Sequence, residues 1–211
     1  MRDEISDRAA RLGVPLSAIE VGRLGSFLEL LSVWNERFHL TGERQIETLA
    51  RKHVPDSLAL VPYVGTPGPI VDIGSGAGFP GLVLGCVRQD LDVYLVESRR
   101  KPASFLCEAV ASLQLENVFV LCERAETASR RPALKGIARV VTGRAVGLDD
   151  LARLADPLLA PHGRLIAMQG RSMGDEQAAA TAKAHRMRLL ASHDYTLDGG
   201  ELRRIIELAK G

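Results

Sequence analysis

The sequence has few cysteines, few aromatic residues and no excess of charge of either sign. Its three cysteines in 211 residues show no C-x-x-C spacing, which argues against a disulfide framework and is typical of a reducing compartment. A formal net charge of +1 gives no global basic field that would predict nucleic-acid binding. Aromatic residues make up only 4% of the chain, so stacking platforms for bases are scarce.

Long apolar runs and metal-binding patterns are also missing. No apolar stretch approaches the length needed to span a membrane, and the polar start at residues 1–4 has no apolar signal-peptide core. The five histidines show no metal-ligand spacing. The sequence therefore predicts a cytoplasmic protein with no membrane segment and no metal.

A glycine-rich stretch at residues 70–81, IVDIGSGAGFPG, is the most informative feature that is present. Ile70–Ile73 predicts a short strand that is buried on both faces, as in a parallel sheet. The glycines allow a sharp turn and a close approach of the backbone to a ligand, and Pro80 suits a first helical turn. The pattern predicts a nucleotide-type site at the carboxyl end of a strand.

The part of the chain before this stretch is predicted to be helical. Residues 17–20, SAIE, form a capping box, and the apolar residues that follow recur with helical spacing up to Trp34. A second short helix is expected at residues 46–53, ended by Pro55.

A change in composition marks the end of the helical part. Pro62 and the run GTPGP at residues 65–69 predict a linker. We therefore expect two units, an N-terminal helical segment at residues 1–65 that packs on a core domain at residues 66–211.

The core domain shows the alternation of strands and helices that is typical of a parallel α/β sheet. The last two strands are separated only by residues 198–200, too few for a crossover helix, so we expect them to pair antiparallel. The expected strands lie at residues 70–73, 92–97, 118–121, 138–142, 163–168, 189–195 and 202–209, and the expected helices at 81–88, 101–113, 126–130, 148–159 and 175–188.

Two cofactors are compatible with the glycine turn. Residues 76–81 satisfy G-x-G-x-x-G, and Glu97 ends the next strand where a ribose-binding acid would lie, so an NAD-dependent oxidoreductase fits the pattern. Asp72, however, precedes the first glycine, where a carboxylate repels a pyrophosphate and attracts an ammonium or sulfonium group. The closing antiparallel hairpin is also unusual for a dinucleotide fold. Both features favour S-adenosylmethionine.

Several motifs resemble those of one family, the bacterial ribosomal RNA small subunit methyltransferase G family, also called GidB. The glycine stretch at residues 71–81 looks like that family's signature, and further motifs follow in the family's order. They are WNERFHLT at residues 34–41 (family W-N-x-x-x-N-L-T), KHVPDSL at 52–58 (R-H-x-x-D-S-L), RAE at 124–126, TGRAV at 142–146 (T-A-R-A-V) and GRLIAMQG at 163–170 (G-R-L-x-x-x-K-G).

The resemblance implies a Rossmann-like class I methyltransferase fold, with a seven-stranded, mainly parallel sheet whose last strand is antiparallel. It further implies methyl transfer from S-adenosylmethionine to N7 of a guanine in small-subunit (16S) ribosomal RNA, by a monomer acting on that RNA or on an assembling small subunit. Three positions depart from the family: His39 replaces Asn, Gly143 replaces Ala and Gln169 replaces Lys. These departures keep a small-molecule methyltransferase as an alternative.

The resemblance also implies roles for individual residues. Arg144 would lie beside the methyl group or the substrate, which makes it the candidate catalytic residue and also a candidate cofactor-binding residue. In the cofactor site, Gly74 and Phe79 would line the pocket. Gly76 and Gly78 would approach the methionine moiety, with Asp72 nearby. Glu97 would accept hydrogen bonds from the ribose hydroxyls, and Ala125 and Glu126 would flank the adenine.

Each charged candidate also has a purely structural interpretation. Asp72 could cap the following turn, and Glu97 could pair with Arg99 or Arg100. Glu126 could be an ordinary acid at a helix start. The proposed chemistry needs no general base, because guanine N7 carries an in-plane lone pair and no proton.

Overall fold

The computed structural model describes residues 1–65, 68–197 and 199–211 and shows a seven-stranded sheet covered by helices on both faces. The strand order is β3-β2-β1-β4-β5-β7-β6. The strands are β1 (Ile70–Ile73), β2 (Val93–Val96), β3 (Val118–Leu121), β4 (Ala138–Arg144), β5 (Leu159–Gly170), β6 (Met187–Leu197) and β7 (Glu201–Lys210).

The pairing of the strands confirms the predicted fold class. Strands β1 to β5 all run parallel to one another, whereas β7 runs antiparallel to both β5 and β6. The carboxyl ends of β1, β2, β4 and β5 therefore lie at one edge of the sheet, where ligands of open α/β folds bind.

The helices are α1 (Arg2–Arg11), α2 (Ala18–Phe38), α3 (Ile46–Thr48), α4 (Val54–Leu58), α5 (Val61–Val64), α6 (Gly81–Val87), α7 (Arg100–Ser112), α8 (Ala125–Ala128), α9 (Leu148–Ala155) and α10 (Asp175–Ala184), and a π-helical turn (Leu49–His53) joins α3 to α4. No helix in the described ranges combines the length and the apolar character needed to cross a membrane.

Two apolar clusters lie on the two faces of the sheet. In β1, Ile70 belongs to the cluster that includes Phe27 of α2, whereas Val71 belongs to the cluster that includes Leu151 of α9. The alternation within one strand explains why β1 is apolar on both faces. The first cluster also joins the N-terminal helices to the sheet.

The predicted capping box starts α2. Ser17 is the N-cap residue, its hydroxyl accepts from the Glu20 backbone N–H at 3.3 Å, and the Glu20 carboxylate accepts from the Ser17 N–H at 2.6 Å. The helix ends at Phe38, and His39 follows in a left-handed conformation with φ of 49°. The two hydrogen bonds between Ser17 and Glu20 satisfy two N–H groups that would otherwise lack an acceptor at the start of α2.

The prediction that Pro55 ends a helix is wrong. The chain continues through the π-helical turn into α4, and Pro55 occupies the first turn of α4. Proline is tolerated there because an N–H in the first turn has no helical acceptor. In the same way Pro62, expected in a linker, lies in the first turn of α5.

Two of the predicted helices are each four residues too long at their carboxyl ends. The helix expected at 148–159 ends at Ala155. Asp156 still has helical dihedral angles, with φ of −50° and ψ of −50°, but Pro157 has no N–H to continue the helical hydrogen bonds. The helix expected at 175–188 ends at Ala184, before β6 begins.

Two predicted loops fall partly outside the described residues. The expected linker at residues 65–69 includes Thr66 and Pro67, and the expected turn at 198–200 includes Asp198. These three residues are not described further. The strands that the turn at 198–200 connects pair antiparallel, as expected.

Candidate active site

The glycine loop follows β1 and needs glycine for two different reasons. Gly74, Gly76 and Gly78 have φ angles of 73°, 55° and 97°, which L side chains rarely adopt. A Cβ on Gly78 would lie 3.0 Å from Leu82 Cβ and 3.2 Å from Phe27 Cζ, so this glycine packs against the core. A Cβ on Gly76 would make only ordinary contacts, 3.7 Å from the Gly74 carbonyl oxygen and 3.8 Å from Arg99 Nη2, so Gly76 is required by its φ angle and not by packing.

Asp72 is fully buried in β1 and binds the start of α6. Its Oδ2 accepts a hydrogen bond from the Gly81 backbone N–H at 3.1 Å, as the turn-capping interpretation expects. Burial raises the pKa of Asp72 to about 6. Its Oδ1 is buried and has no hydrogen-bond partner within the described residues. The carboxylate therefore retains acceptor capacity next to the glycine loop.

Glu97 follows β2 and connects that strand to the glycine loop. Its Oε2 accepts from the Gly76 N–H at 2.9 Å, and its Oε1 accepts from the Arg99 N–H at 2.8 Å and from Arg99 Nε at 3.2 Å. The pair with Arg99 that was considered as an alternative is thus present. The Glu97 side chain is 4% exposed, whereas that of Arg99 is 67% exposed. Arg99 can therefore move away when a ligand approaches Glu97.

Phe79 lies beneath Arg144 and is almost completely buried. Its ring packs 5.2 Å from the ring of Phe27 and 5.2 Å from that of His53, between centroids. The guanidinium carbon of Arg144 lies 5.0 Å from the Phe79 centroid, a cation–π contact. The structure therefore makes Phe79 the support of Arg144.

Ala125 and Glu126 begin α8, directly after β3 and Arg124. Ala125 is half-buried, and Glu126 is exposed. The Glu126 carboxylate lies 3.6 Å from the Arg153 guanidinium of α9, and the described residues show no hydrogen bond between Glu126 and the glycine loop. The structure therefore does not bring the Glu126 side chain together with Asp72 or Glu97.

A cleft of about 420 Å³ lies beside the glycine loop at the carboxyl ends of β4 and β5. The cleft adjoins the glycine loop directly. Val146, which lines the cleft, lies so near the loop that a Cβ on Gly74 would be 3.3 Å from Val146 Cγ2. A larger, open groove of about 700 Å³ lies at the amino end of β3 and contains none of the motif residues. The cleft is lined by His53, Asp56, Arg144, Ala145, Val146, Gly147, Met168, Gln169, Gly170, Tyr195 and Arg203.

Asp56 is the central residue of the cleft. Its Oδ2 accepts from Arg144 Nη1 at 3.0 Å, and its Oδ1 accepts from the Tyr195 hydroxyl at 2.6 Å. Arg203 Nε lies 3.8 Å from the same Oδ1. The Asp56 side chain is 3% exposed and that of Arg144 is 20% exposed. The charge of Arg144 is thus balanced by a buried partner, which a half-buried guanidinium requires.

The ionisable groups around Asp56 keep fixed protonation states near neutral pH. Burial and the neighbouring Arg144 lower the pKa of His53 to about 4, so its ring is neutral. Burial and the Asp56 charge raise the pKa of the Tyr195 hydroxyl, so it stays protonated and donates to Asp56.

Sequence reasoning identified Arg144 but missed Asp56, Tyr195 and Arg203 as cleft residues. Asp56 lies in the KHVPDSL motif at residues 52–58, and that motif was the available signal. Tyr195 and Arg203 lie in no motif, and only the pairing of β6 with β7 places them opposite each other.

Gln169, where the family usually carries Lys, lies at the wall of the cleft. Its Nε2 donates to the Val146 backbone carbonyl at 3.0 Å. The side chain thus holds the loop after Arg144 in place and supplies no positive charge.

The edge formed by β1, β2 and the glycine loop fits an adenosyl ligand with a cationic group. Glu97 offers a nearly buried carboxylate to hydroxyl groups, Asp72 has an oxygen without a hydrogen-bond partner among the described residues, and the Gly76 backbone lies against Glu97. The described residues contain no cluster of three or more His, Cys, Asp or Glu side chains that could hold a metal ion.

Comparison with known proteins agrees with this geometry. Residues 21–199 match the family model of GidB, rRNA small subunit methyltransferase G. The ribosomal RNA small subunit methyltransferase G of Chloroflexus aggregans is 40% identical over 202 residues, which are 94% of this chain and 85% of the relative. The protein of the same name from Geobacter sp. is 36% identical, over 96% of this chain and 94% of the relative.

Solved structures agree on the fold. M. jannaschii TYW2 in complex with AdoMet superimposes with a TM-score of 0.57 and 16% identity, over 74% of each chain. A SAM-dependent methyltransferase from Aquifex aeolicus gives a TM-score of 0.55 with 15% identity, over 74% of this chain and 90% of that chain. The family match decides against the oxidoreductase alternative. The chain belongs to the rRNA small subunit methyltransferase G family and is an S-adenosylmethionine-dependent methyltransferase.

Proposed function

We propose that this protein transfers the methyl group of S-adenosylmethionine to N7 of a guanine in small-subunit (16S) ribosomal RNA. The observation that carries the proposal is the contact between two sites. The glycine loop with Glu97 adjoins a polar cleft large enough for a base, through the close approach of Gly74 and Val146. Both sites contain motifs of the family to which the chain belongs.

The cofactor side is assigned to residues at the ends of β1, β2 and β3. Bound S-adenosylmethionine supplies an electrophilic methyl group. We assign Glu97 to the ribose hydroxyls. We assign the backbone at Gly74, Gly76 and Gly78 to the methionine moiety, with Asp72 nearby. The adenine is assigned to the start of α8 at Ala125 and Glu126, and Phe79 supports the site from below.

The substrate side is assigned to the cleft around Arg144. Arg144 lies over the ring of Phe79 and is fixed by its hydrogen bond to Asp56, so it can orient a base without moving. Guanine N7 has no proton to remove, and the neutral His53 is not required as a base. The contribution of the chain is alignment of the base and exclusion of water.

We further propose that the enzyme acts as a monomer in the cytoplasm, on small-subunit ribosomal RNA or on an assembling small subunit. We also propose the division into a helical segment at residues 1–65 and a methyltransferase domain at residues 66–211. The buried contacts of Phe27 with the first apolar cluster support packing of the segment on the domain.

The function is tested by methyl transfer in vitro and by analysis of cellular RNA. Radiolabelled S-adenosylmethionine is offered with small-subunit particles or naked RNA from a strain that lacks the gene, and with free guanosine. We expect label in N7-methylguanine of the RNA and none in guanosine. Labelling of guanosine alone would favour the small-molecule methyltransferase, and a deletion strain that keeps all its N7-methylguanine would contradict the proposal.

A further inference from the structure

In the cleft, the guanidinium of Arg144 and the carboxylate of Asp56 lie side by side as a charged donor and a charged acceptor. Arg144 Nη1 donates to Asp56 Oδ2 at 3.0 Å, and the Tyr195 hydroxyl fixes Oδ1 at 2.6 Å. A carboxylate has about four lone-pair sites, and these two bonds use about half of them. Arg203 Nε, at 3.8 Å, is beyond hydrogen-bond distance. Asp56 therefore keeps acceptor capacity although it is nearly buried.

This pattern of donor and acceptor matches one purine and not the other. Along its pairing edge guanine presents an acceptor, O6, followed by the donors N1–H and the 2-amino group. Adenine presents a donor, its 6-amino group, followed by the acceptor N1. An arginine beside a carboxylate is complementary to guanine, whereas adenine would place donor against donor and acceptor against acceptor.

We propose that the Arg144–Asp56 pair is the guanine-reading element of the site, in which Arg144 donates to O6 and Asp56 accepts from N1–H and the 2-amino group. The inference rests on the proposed function, because it takes a guanine as the methyl acceptor, and it adds Asp56 as a specificity-determining residue. O6 neighbours N7 on the base, so a donor held at O6 leaves N7 free to face the methyl group.

The same carboxylate also favours the reaction. The N7 lone pair forms the new C–N bond, and the electron pair of the C–S bond moves to sulfur, so the positive charge passes from the sulfonium to the guanine ring. No proton leaves N7. A positively charged ring makes N1–H and the 2-amino group stronger donors, so Asp56 binds the transition state more strongly than the ground state.

The test compares guanosine with inosine at the methylated position. Inosine keeps N7, O6 and N1–H and lacks only the 2-amino group. After the methylated nucleotide has been mapped, small-subunit RNA is prepared with either nucleoside at that position. Single-turnover rates are measured with the native protein, with Asp56→Asn and with Glu207→Gln. Glu207 is a matched control, because it is also a buried carboxylate paired with an arginine, Arg164 at 2.6 Å, but lies outside the cleft.

We expect the native protein to methylate guanosine about 10- to 100-fold faster than inosine, since a hydrogen bond to a charged group is lost with inosine. Glu207→Gln should keep this preference. Asp56→Asn should reduce it to within about threefold, because a neutral amide has one acceptor oxygen and a weaker hydrogen bond. Its affinity for S-adenosylmethionine should remain unchanged, which shows that the variant is folded.

Other results separate the two proposals. Equal rates on the two RNAs with the native protein, or an Asp56→Asn variant that is slower but keeps the preference, would overturn the reading role and leave Asp56 as a positioning residue for Arg144. Failure of the native protein to methylate either RNA would contradict the proposed function instead. If Asp56→Asn does not bind S-adenosylmethionine, Asp56→Glu is used instead, because it keeps the negative charge but moves the carboxylate. Asp56→Glu is likewise expected to reduce the preference for guanosine to within about threefold.

Discussion

The two halves of the site are built in different ways. On the cofactor side, carboxylates bind backbone N–H groups that are near in sequence: Asp72 and Gly81 are nine residues apart, and Glu97 and Gly76 are 21 apart. In the cleft, side chains bind side chains across the fold, since Asp56 is 88 residues from Arg144 and 139 from Tyr195. The first half depends on local backbone geometry, and the second depends on the complete tertiary structure.

The largest expected effect comes from filling the space at Gly81. A Cβ there would lie 2.5 Å from Asp72 Oδ2 and would overlap Leu95 Cδ2, so Gly81→Ala should lower the free energy of unfolding by about 3 kcal/mol. Gly22→Ala is the control: nothing lies within 4 Å, and it should stabilise α2 by about 0.5–1 kcal/mol. Urea denaturation measures both. Equal effects would show that Gly81 is not needed for packing.

The next effect concerns pH. Because burial raises the pKa of Asp72 from 3.8 to about 6, its contribution to stability is largest below about pH 4 and is lost as the pH rises through 6, on the order of 3 kcal/mol. Asp72→Asn keeps an acceptor for the Gly81 N–H and removes the titration. Its stability relative to the native protein should therefore rise between pH 4 and 6 and stay constant above that range, as measured by urea denaturation.

The contribution of His53 to stability changes with pH in the opposite direction to that of Asp72, so the two variants can be checked against each other. Its pKa is lowered to about 4, so its contribution is present above pH 6.5 and is lost as the pH falls through 4. His53→Gln removes this second slope, so its stability relative to the native protein should rise as the pH falls from 6.5 to 4. If the relative stabilities of both variants rise with pH, the assignment of His53 is wrong, and if both fall with pH, the assignment of Asp72 is wrong.

A third prediction separates the two halves by binding. Glu97→Ala removes the proposed acceptor of the ribose hydroxyls and should weaken S-adenosylmethionine binding about 100-fold, as measured by calorimetry. Asp90→Ala is the control, because Asp90 lies at the opposite end of β2 and pairs with Arg88 at the surface. Unchanged affinity of a folded Glu97→Ala protein would remove Glu97 from the cofactor site.

A fourth prediction concerns turnover. Arg144→Lys keeps a positive charge but loses the planar group that lies on Phe79, so kcat should fall about 30-fold while the affinity for S-adenosylmethionine stays unchanged. Arg164→Lys, at the buried pair with Glu207 outside the cleft, should leave kcat within about twofold. A loss of cofactor affinity in Arg144→Lys would place Arg144 on the cofactor side.

The smallest effect is expected at Gln169. Gln169→Lys restores the residue that is usual in the family and should raise RNA affinity about fivefold at low salt. The plot of the logarithm of the binding constant against the logarithm of the salt concentration should become steeper by about 0.7. Gln89→Lys makes the same change at an exposed position in the groove near the amino end of β3. If the two variants bind RNA equally well, the cleft contributes no specific phosphate contact at this position.

The contrast between the two halves also explains what the sequence could predict. The strand Ile70–Ile73, the glycine turn and Glu97 were predicted from spacing, because their partners are local. The role of Asp56 was not predicted, because its partners are distant and because Pro55 was expected to end a helix there. Glu126 was a candidate because it lies in a short motif, but its side chain is exposed and lies near Arg153. A position in a motif does not fix where an exposed side chain points.

The bond between Asp56 and Tyr195 has a consequence for the order in which the protein is made. Glu97 and the glycine loop can meet as soon as β2 has been synthesised. The cleft stays incomplete until β6 has left the ribosome, because the hydroxyl that fixes Asp56 belongs to Tyr195, 139 positions later in the chain. A nascent chain therefore acquires its place for the methyl donor before its means of selecting a base.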